Sequence, residues 1–312
     1  MVARMRVVIC TGTQPHHKNL CGAITSAFNV VAIIHPAEVA SGSVVRGRRL
    51  LRQGRTHGWP LAIMRVLGEL SSRRNARAGC VEGLSTSPTD FSEGIEAYQR
   101  IPRSLIRTNC DVRDSRLHEF LRSLCPDVTL CLGGPVYPRT FIDTSPLTLN
   151  FHSGVSPIYN GTASIQFAFA NGHPHLCGGT VMMMSGEVDG GRILGHYLPA
   201  IDRGDSPDSL FNKTVRGAPV MYARILEYVQ TGTGVVQYVP QPPALFYTRG
   251  FQLGWYQSAM ITQNRSSDIS ALFQRRESFV EYWREPCQAA ARAALQSTLE
   301  SLLWNAGQAQ SR

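Results

Sequence analysis

The amino-acid sequence predicts an α/β protein with a mostly parallel central sheet that is covered by helices on both faces. Two runs near the N-terminus, 5–12 and 29–36, are apolar at most positions and are ended by Gly12 and Pro36. Strands that are buried on both faces have this continuous apolar pattern. Residues 17–28 between them are predicted to form a helix, and the order strand, helix, strand is typical of a parallel sheet.

The same alternation continues further along the chain. In the helix predicted at 114–124, four apolar residues fall at helical spacing behind an Asp/Ser cap. The other predicted elements are strands 127–132, 147–151, 179–184 and 192–198 and helices 163–170 and 206–229. After residue 230 the composition changes, and the chain ends in an amphipathic helix at 287–304. We therefore expect a main domain at 1–230 and a smaller C-terminal extension at 231–312 that ends in helices.

The net charge of +9 comes largely from one insertion. Residues 41–80 interrupt the alternation of strands and helices, and nine arginines but only one acid lie between Arg46 and Arg77. This insertion has three interpretations: a phosphate or nucleotide contact, an RNA contact, or helix faces exposed to solvent. On the first interpretation, Arg48 and Arg49 are candidates for substrate binding.

Composition excludes several classes of protein. The hydrophobic share of 43% and the charged share of 17% are those of a globular chain, so disorder is not expected as its main state. No apolar run approaches the length of a membrane span, which predicts a cytoplasmic protein. The eight cysteines are scattered without a C-x-x-C pair, which predicts reduced thiols and no metal site. A G-x-G-x-x-G fingerprint for dinucleotides is absent after the first strand.

Three polar residues form the candidate catalytic group. Asn150 and His152 lie where the apolar run 147–151 ends, and Asp189 follows in a glycine-rich loop. Because ligands bind beyond the carboxyl ends of strands in open α/β sheets, these side chains are expected to meet a ligand. Together they offer a donor for an oxyanion, a group that titrates near neutrality, and a carboxylate that orients it. No serine or cysteine stands in an activating motif, so we expect direct transfer of a group without an acyl-enzyme.

The sequence around these residues resembles a known family. The run 150-NFHS-153 is followed by a Pro/Tyr/Gly loop at 157–161, and a second matching stretch covers 172–194. This pattern resembles the formyltransferases that use 10-formyltetrahydrofolate, which include glycinamide ribonucleotide transformylase, methionyl-tRNA formyltransferase and the sugar N-formyltransferases. The separation of Asp189 from His152, 189 − 152 = 37 residues, fits that family. The resemblance implies a Rossmann-like fold and covers about residues 110–230.

The resemblance also implies roles for individual residues. Asn150 and His152 would polarise the formyl group and stabilise the oxyanion, and Asp189 would assist removal of the proton from the attacking amine. Backbone groups of two loops would hold the folate, with these candidates: Leu132, Gly133, Gly134, Pro135, Val136, Gly186, Glu187 and Val188. The chain departs from the usual Leu-Leu-Pro of the family, because Gly154-Val155-Ser156-Pro157 follows Ser153.

The expected acceptor is a primary amine of a small metabolite, such as a nucleotide-linked amino sugar or a natural-product amine. The segment 246-FYTRG-250 resembles an element that some sugar formyltransferases carry. Candidates for acceptor binding, besides the two arginines, are His16, His17, Tyr159 and Gly161. The alternative is methionyl-tRNA formyltransferase, whose C-terminal domain is β-rich and basic in the family. A glycinamide ribonucleotide transformylase, a formyltetrahydrofolate hydrolase and a binding-only descendant rank lower, and a homodimer formed through the terminal helix stays open.

Overall fold

The computed structural model describes residues 5–37, 59, 86–232 and 234–310. Its strands are β1 (Arg6–Thr11), β2 (Asn29–Pro36), β3 (Ile106–Cys110), β4 (Val128–Leu132), β5 (Leu147–His152), β6 (Tyr159–Gly161), β7 (Gly179–Met183), β8 (Ile193–Leu198), β9 (Phe246–Thr248) and β10 (Ser278–Glu281). Its α-helices are α1 (Pro15–Ala27), α2 (Ser92–Gln99), α3 (Ser115–Ser123), α4 (Arg139–Ile142), α5 (Ser164–Ala170), α6 (Pro207–Thr231), α7 (Trp255–Ser266) and α8 (Gln288–Gln310).

Eight of these strands form the main sheet, in the order β10-β8-β7-β5-β4-β1-β2-β3. Neighbouring strands from β3 to β5 are parallel, and β7, β8 and β10 are antiparallel to their neighbours. The predicted mostly parallel α/β sheet is therefore confirmed. Strand order reverses between β1 and β4, so a crevice opens beyond their carboxyl ends, where such sheets bind ligands.

Both faces of the sheet are covered, because alternate residues of each strand point to opposite sides. Val7 and Ile9 of β1 pack in the cluster that also holds residues of α1 and α6. Val8 and Cys10 of the same strand pack in a second cluster with residues of α3 and α4. This two-sided burial is the reason that the strands appear in the sequence as continuous apolar runs.

The first helix begins earlier than the sequence predicted. Pro15 occupies its first turn, where the missing N–H of a proline costs nothing, so α1 runs from Pro15 instead of residue 17. As a result, His16 and His17 lie in the first turn of a helix and are buried. The sequence had placed His16 in the loop after β1.

The C-terminal extension is packed against the main sheet. Its strand β10 pairs with β8, and its strand β9 pairs with β6 in a separate two-stranded sheet. Ile261 of α7 and Leu302 of α8 pack in one cluster with Ile158 and Phe169. The boundary near residue 230 stays a prediction, and the extension after it contributes directly to the sheet and its core.

The arginine-rich insertion at 41–80, with Arg48 and Arg49, lies outside the described residues. Within the part of the chain that the structure describes, no helix has both the length and the apolar character needed to cross a bilayer.

Candidate active site

A histidine and an aspartate meet at the end of β5. His152 is the last residue of that strand, and its Nδ1 lies 3.3 Å from Oδ2 of Asp189. Both side chains are largely buried, with exposed fractions of 5% for His152 and 11% for Asp189. Because water is largely excluded, the carboxylate can orient the imidazole and stabilise a positive charge on it.

Asn150 joins the same carboxylate. It precedes His152 by two residues on β5, so both side chains lie on one face of the strand. Its Nδ2 lies 3.4 Å from Oδ1 of Asp189. The structure therefore brings together all three residues that the sequence selected, although 37 residues separate Asp189 from His152.

The second ring nitrogen of His152 faces a backbone oxygen. Nε2 lies 2.9 Å from the carbonyl oxygen of Tyr159, which can only accept a hydrogen bond. Nε2 therefore carries the hydrogen, and Nδ1 faces the carboxylate of Asp189. Hydrogen-bond acceptors therefore lie at both ring nitrogens.

Residue 154 has no room for a side chain beside this ring. A Cβ on Gly154 would lie 2.3 Å from Nε2 of His152 and 2.5 Å from the carbonyl oxygen of Tyr159. The absence of a side chain at position 154 thus has a physical reason. It permits the close approach of His152 to the strand that follows.

Asp189 is held in an unusual backbone conformation. Its φ is +52°, in the left-handed region that few non-glycine residues adopt. The side chain of Asn160 donates to the carbonyl oxygen of Asp189 at 2.9 Å, and the backbone N–H of Gly161 donates to Oδ2 at 3.0 Å. These two bonds from β6 fix both the backbone and the carboxylate of Asp189.

Two residues predicted to bind the acceptor also support the catalytic candidates. Tyr159 is fully buried, and its hydroxyl is bound by Asn171 and His173 at 2.9 Å each. Its side chain therefore points into the core, and its carbonyl oxygen positions His152. Gly161 is also buried and binds Asp189, so both residues have a supporting role, and their contact with the acceptor stays a prediction.

His16 and His17 are not suited to bind a phosphate by charge. Burial lowers the pKa of His16 to about 4 and, together with the neighbouring His16 and His35, lowers the pKa of His17 to about 2. Both rings are uncharged at neutral pH. The Thr11 hydroxyl donates to the carbonyl oxygen of Leu132, so it accepts from Nδ1 of His17 at 2.6 Å. Charge therefore does not support acceptor binding by this pair, and that binding stays a prediction.

The two loops expected to hold the folate remain open to solvent. After β4, Gly133, Gly134 and Val136 are exposed and Pro135 is partly exposed, and in the second loop Gly186, Glu187 and Val188 are exposed. The valines are 57% and 40% exposed, so each loop offers an apolar side chain that a flat ring could cover. Leu132 differs, because its side chain is in the core and its carbonyl oxygen already accepts from Thr11. Leu132 therefore anchors the start of the loop 133–136 in the core.

The sequence did not predict three residues that support the site. Asn160 binds the carbonyl oxygen of Asp189, the hydroxyl of Ser164 lies 3.5 Å from Nε2 of His152, and the hydroxyl of Thr248 lies 3.1 Å from the carbonyl oxygen of Asn160. Asn160 and Ser164 lie within or beside the matching Pro/Tyr/Gly loop, and a search of that loop for buried polar residues could have selected them. Thr248 lies in the extension, and no pattern in the sequence connects it with His152.

The catalytic candidates all lie in a segment with known relatives. Residues 70–226, half of the chain, match the formyl transferase family. The chain belongs to this family. Asn150, His152 and Asp189 lie inside the matched segment.

Individual relatives match over shorter segments. A methionyl-tRNA formyltransferase of a Hydrogenobaculum species is 32% identical over 130 residues, which are 41% of this chain and 42% of that protein. The methionyl-tRNA formyltransferase of Agathobacter rectalis is 26% identical over 153 residues, 48% of this chain and 46% of that protein. The chain thus matches less than half the length of these curated relatives. A solved sugar N-formyltransferase from a Shewanella species is similar with a TM-score of 0.48 and 12% identity, over 84% of this chain and 87% of that chain.

Proposed function

We propose that this protein is an N-formyltransferase that moves the formyl group of 10-formyltetrahydrofolate to a primary amine of a small metabolite. The observation that carries the proposal is the convergence of Asn150 and His152 on the carboxylate of Asp189, at 3.4 Å and 3.3 Å, within the segment that matches the formyl transferase family. An amide donor, an imidazole and a carboxylate are the groups that acyl transfer to an amine requires.

The proposed reaction is a direct transfer. The amine attacks the formyl carbon, the carbonyl π electrons move to oxygen, and a tetrahedral intermediate forms. Asn150 Nδ2 has two hydrogens, so one can bind the oxyanion while the other stays on Asp189. The attacking nitrogen loses a proton to the Asp189–His152 pair. The C=O bond then re-forms from the oxyanion as the C–N10 bond breaks, and N10 of the folate takes up the proton that the pair received. No covalent enzyme intermediate is needed, because both substrates are bound together.

The two exposed loops, 133–136 and 186–188, would hold the folate. Backbone groups would bind the polar edge of the pterin, and Val136 and Val188 would cover its faces. Leu132 would support the first loop from the core, and Gly161 would hold the carboxylate of Asp189. His16 and His17, both uncharged, would bind the acceptor by hydrogen bonds and ring contacts instead of charge.

A small acceptor is favoured over tRNA by the extension. Within the described residues it contains two α-helices and only two short strands. It has seven arginines and no lysine against five acids, an excess of 7 − 5 = 2, which is small for a surface that binds RNA. The second candidate, methionyl-tRNA formyltransferase, is favoured by the names of the two curated relatives.

The test is to incubate the purified protein with 10-formyltetrahydrofolate and a panel of acceptors. The panel contains nucleotide-linked amino sugars, other small amines and initiator methionyl-tRNA. Release of tetrahydrofolate and the mass of the product are followed together. We expect one formyl group to be added to a small amine.

Two variants control for contaminating activity. His152→Ala and Asp189→Ala should each abolish transfer and keep the circular dichroism spectrum of the parent protein. Formylation of the tRNA alone would establish the second candidate. Near-normal turnover by either variant would refute the assignment of the site, and no transfer to any acceptor despite folate binding would refute the proposed activity.

A further inference from the structure

The contact between β6 and β9 connects the extension to the candidate catalytic residues. The two strands are parallel, with Tyr159 opposite Phe246, Asn160 opposite Tyr247, and Gly161 opposite Thr248. All three residues of β6 hold the site: Tyr159 binds His152, and Asn160 and Gly161 bind Asp189. A strand from outside the matched family segment thus lies directly behind the strand that positions the catalytic pair.

Thr248 makes the polar contacts at this junction. Its hydroxyl lies 3.1 Å from the carbonyl oxygen of Asn160 and 3.0 Å from that of Thr162. Its own carbonyl oxygen accepts from the backbone N–H of Thr162 at 3.0 Å. Thr248 therefore binds the chain on both sides of Gly161, and with an exposed fraction of 7% it does so away from water.

Gly161 packs directly against the backbone of Thr248. A Cβ at this position would lie 2.0 Å from the carbonyl oxygen of Thr248, and the φ of Gly161 is +94°. The backbone of the extension thus packs against the peptide whose N–H binds the carboxylate of Asp189. A shift of Thr248 would move that N–H, because nothing compressible lies between them.

A second path leads from Thr248 to the imidazole. The hydroxyl of Ser164 lies 3.4 Å from that of Thr248 and 3.5 Å from Nε2 of His152. It also donates to the carbonyl oxygen of Gly161 at 3.2 Å. Both members of the His152–Asp189 pair are therefore connected to one threonine hydroxyl.

We propose that Thr248 is a positioning residue for formyl transfer: its hydroxyl fixes the strand Tyr159–Gly161 and thereby sets the geometry of the Asp189–His152 pair. This inference rests on the proposed function. It also assigns the extension a part in the chemical step, in addition to any part in binding the acceptor. The Thr248 hydroxyl is buried and faces backbone oxygens, so its loss should lower kcat and leave ground-state binding almost unchanged.

The test compares Thr248→Val, which keeps the shape and removes the hydroxyl, with Thr248→Ser, which keeps the hydroxyl. Thr214→Val is the matched control, because Thr214 is also buried but its hydroxyl donates within its own helix, to the carbonyl oxygen of Leu210 at 2.7 Å. Kinetics are measured with the acceptor that the assay above identifies. Since small misplacements of catalytic groups cost up to about 100-fold in rate, we expect kcat of the valine variant to fall about 10- to 100-fold. KM for both substrates should change less than about threefold, and the pH profile of kcat should shift.

We expect the serine variant to recover kcat to within about threefold of the parent protein and the control variant to match it. An activity-independent measurement is the 1H–15N signal of the His152 ring, assigned with His152→Gln. The chemical shifts of this signal should change in Thr248→Val and stay unchanged in Thr248→Ser and Thr214→Val. If Thr248→Val does not fold, Thr248→Ala against Thr248→Ser gives the same comparison.

The inference is overturned if the valine variant keeps normal kcat, if serine fails to rescue it, or if the control loses as much activity. These outcomes all require an active parent protein. A parent protein that transfers no formyl group to any amine would instead refute the proposed function, and the ring signal of His152 would still test the positioning role.

Discussion

A buried histidine two strands away from β5 should make the stability of the protein sensitive to acid. His196 of β8 is fully buried, and its Nε2 donates to the carbonyl oxygen of Ser156 at 2.7 Å. Its Nδ1 accepts from the hydroxyl of Tyr282 at 2.9 Å. Burial lowers the pKa of this ring from 6.5 to about 4. The neutral ring of His196 therefore connects Ser156, in the loop after His152, to Tyr282 of the C-terminal extension through two hydrogen bonds.

The sign of the effect follows from the direction of the shift. The unfolded chain takes up a proton on this histidine below pH 6.5, whereas the folded protein does so only near its lowered pKa of about 4. The contribution to stability is thus complete above pH 6.5 and is lost as the pH falls from there towards 4. At about pH 5.5, one unit below the unfolded pKa, the loss is about 1 to 1.5 kcal/mol, because one pKa unit corresponds to about 1.4 kcal/mol.

His196→Gln removes this titration and keeps a donor for Ser156. At about pH 7.5 the variant should be about 1 to 3 kcal/mol less stable, because the buried hydroxyl of Tyr282 loses its acceptor. Urea unfolding followed by tryptophan fluorescence should show that this gap narrows by about 1 to 1.5 kcal/mol at about pH 5.5. Tyr282→Phe keeps the imidazole and should keep the pH dependence of the parent protein. A gap that stays constant or widens in acid would refute the reasoning.

Three further changes test the site. Asp189→Asn removes the charge beside His152 at constant shape, and stopped assays of tetrahydrofolate release should show kcat lower by about 10²- to 10⁴-fold. Gly154→Ala places a Cβ 2.3 Å from Nε2 of His152, so kcat should fall by at least about tenfold, while folate binding measured by calorimetry stays within about threefold. Replacing Arg48, Arg49 and Arg52 of the insertion together should raise KM for the acceptor more than it lowers kcat in steady-state assays. An unchanged KM would leave the insertion as a solvent-exposed surface.

The sequence could predict the sheet because its strands are buried on both faces. Runs such as 29–36 are apolar at most positions because helices cover both sides of the sheet. Their short length, their β-branched residues and the closing Pro36 favour a strand over a buried helix. The start of α1 was missed by two residues because the prediction began the helix behind Pro15 instead of at it. A proline at the first turn marks a helix start as well as a loop.

The catalytic candidates could be predicted because their chemistry is uncommon in a core. An asparagine and a histidine two residues apart at the end of an apolar strand are unexpected unless a ligand or a partner compensates them. The role of Tyr159 could not be predicted in the same way. Its position in the motif marked it as important, but only the structure tells a backbone contact from a side-chain contact. The lowered pKa values of His16 and His17 likewise depend on burial that a pair of adjacent histidines does not reveal.

The supporting residues explain why a local motif is not sufficient for this site. Asp189 adopts a left-handed backbone conformation, which costs free energy unless neighbouring groups hold it. Those groups are the side chain of Asn160 and the N–H of Gly161, and they are in turn held by Thr248 from the extension. The bond between Asn160 and Asp189 spans 189 − 160 = 29 residues, and the bond between Thr248 and Asn160 spans 248 − 160 = 88. A segment that contained only the matched residues would keep every catalytic side chain and lose the strand that fixes them, so the C-terminal extension belongs to the proposed chemistry of the site.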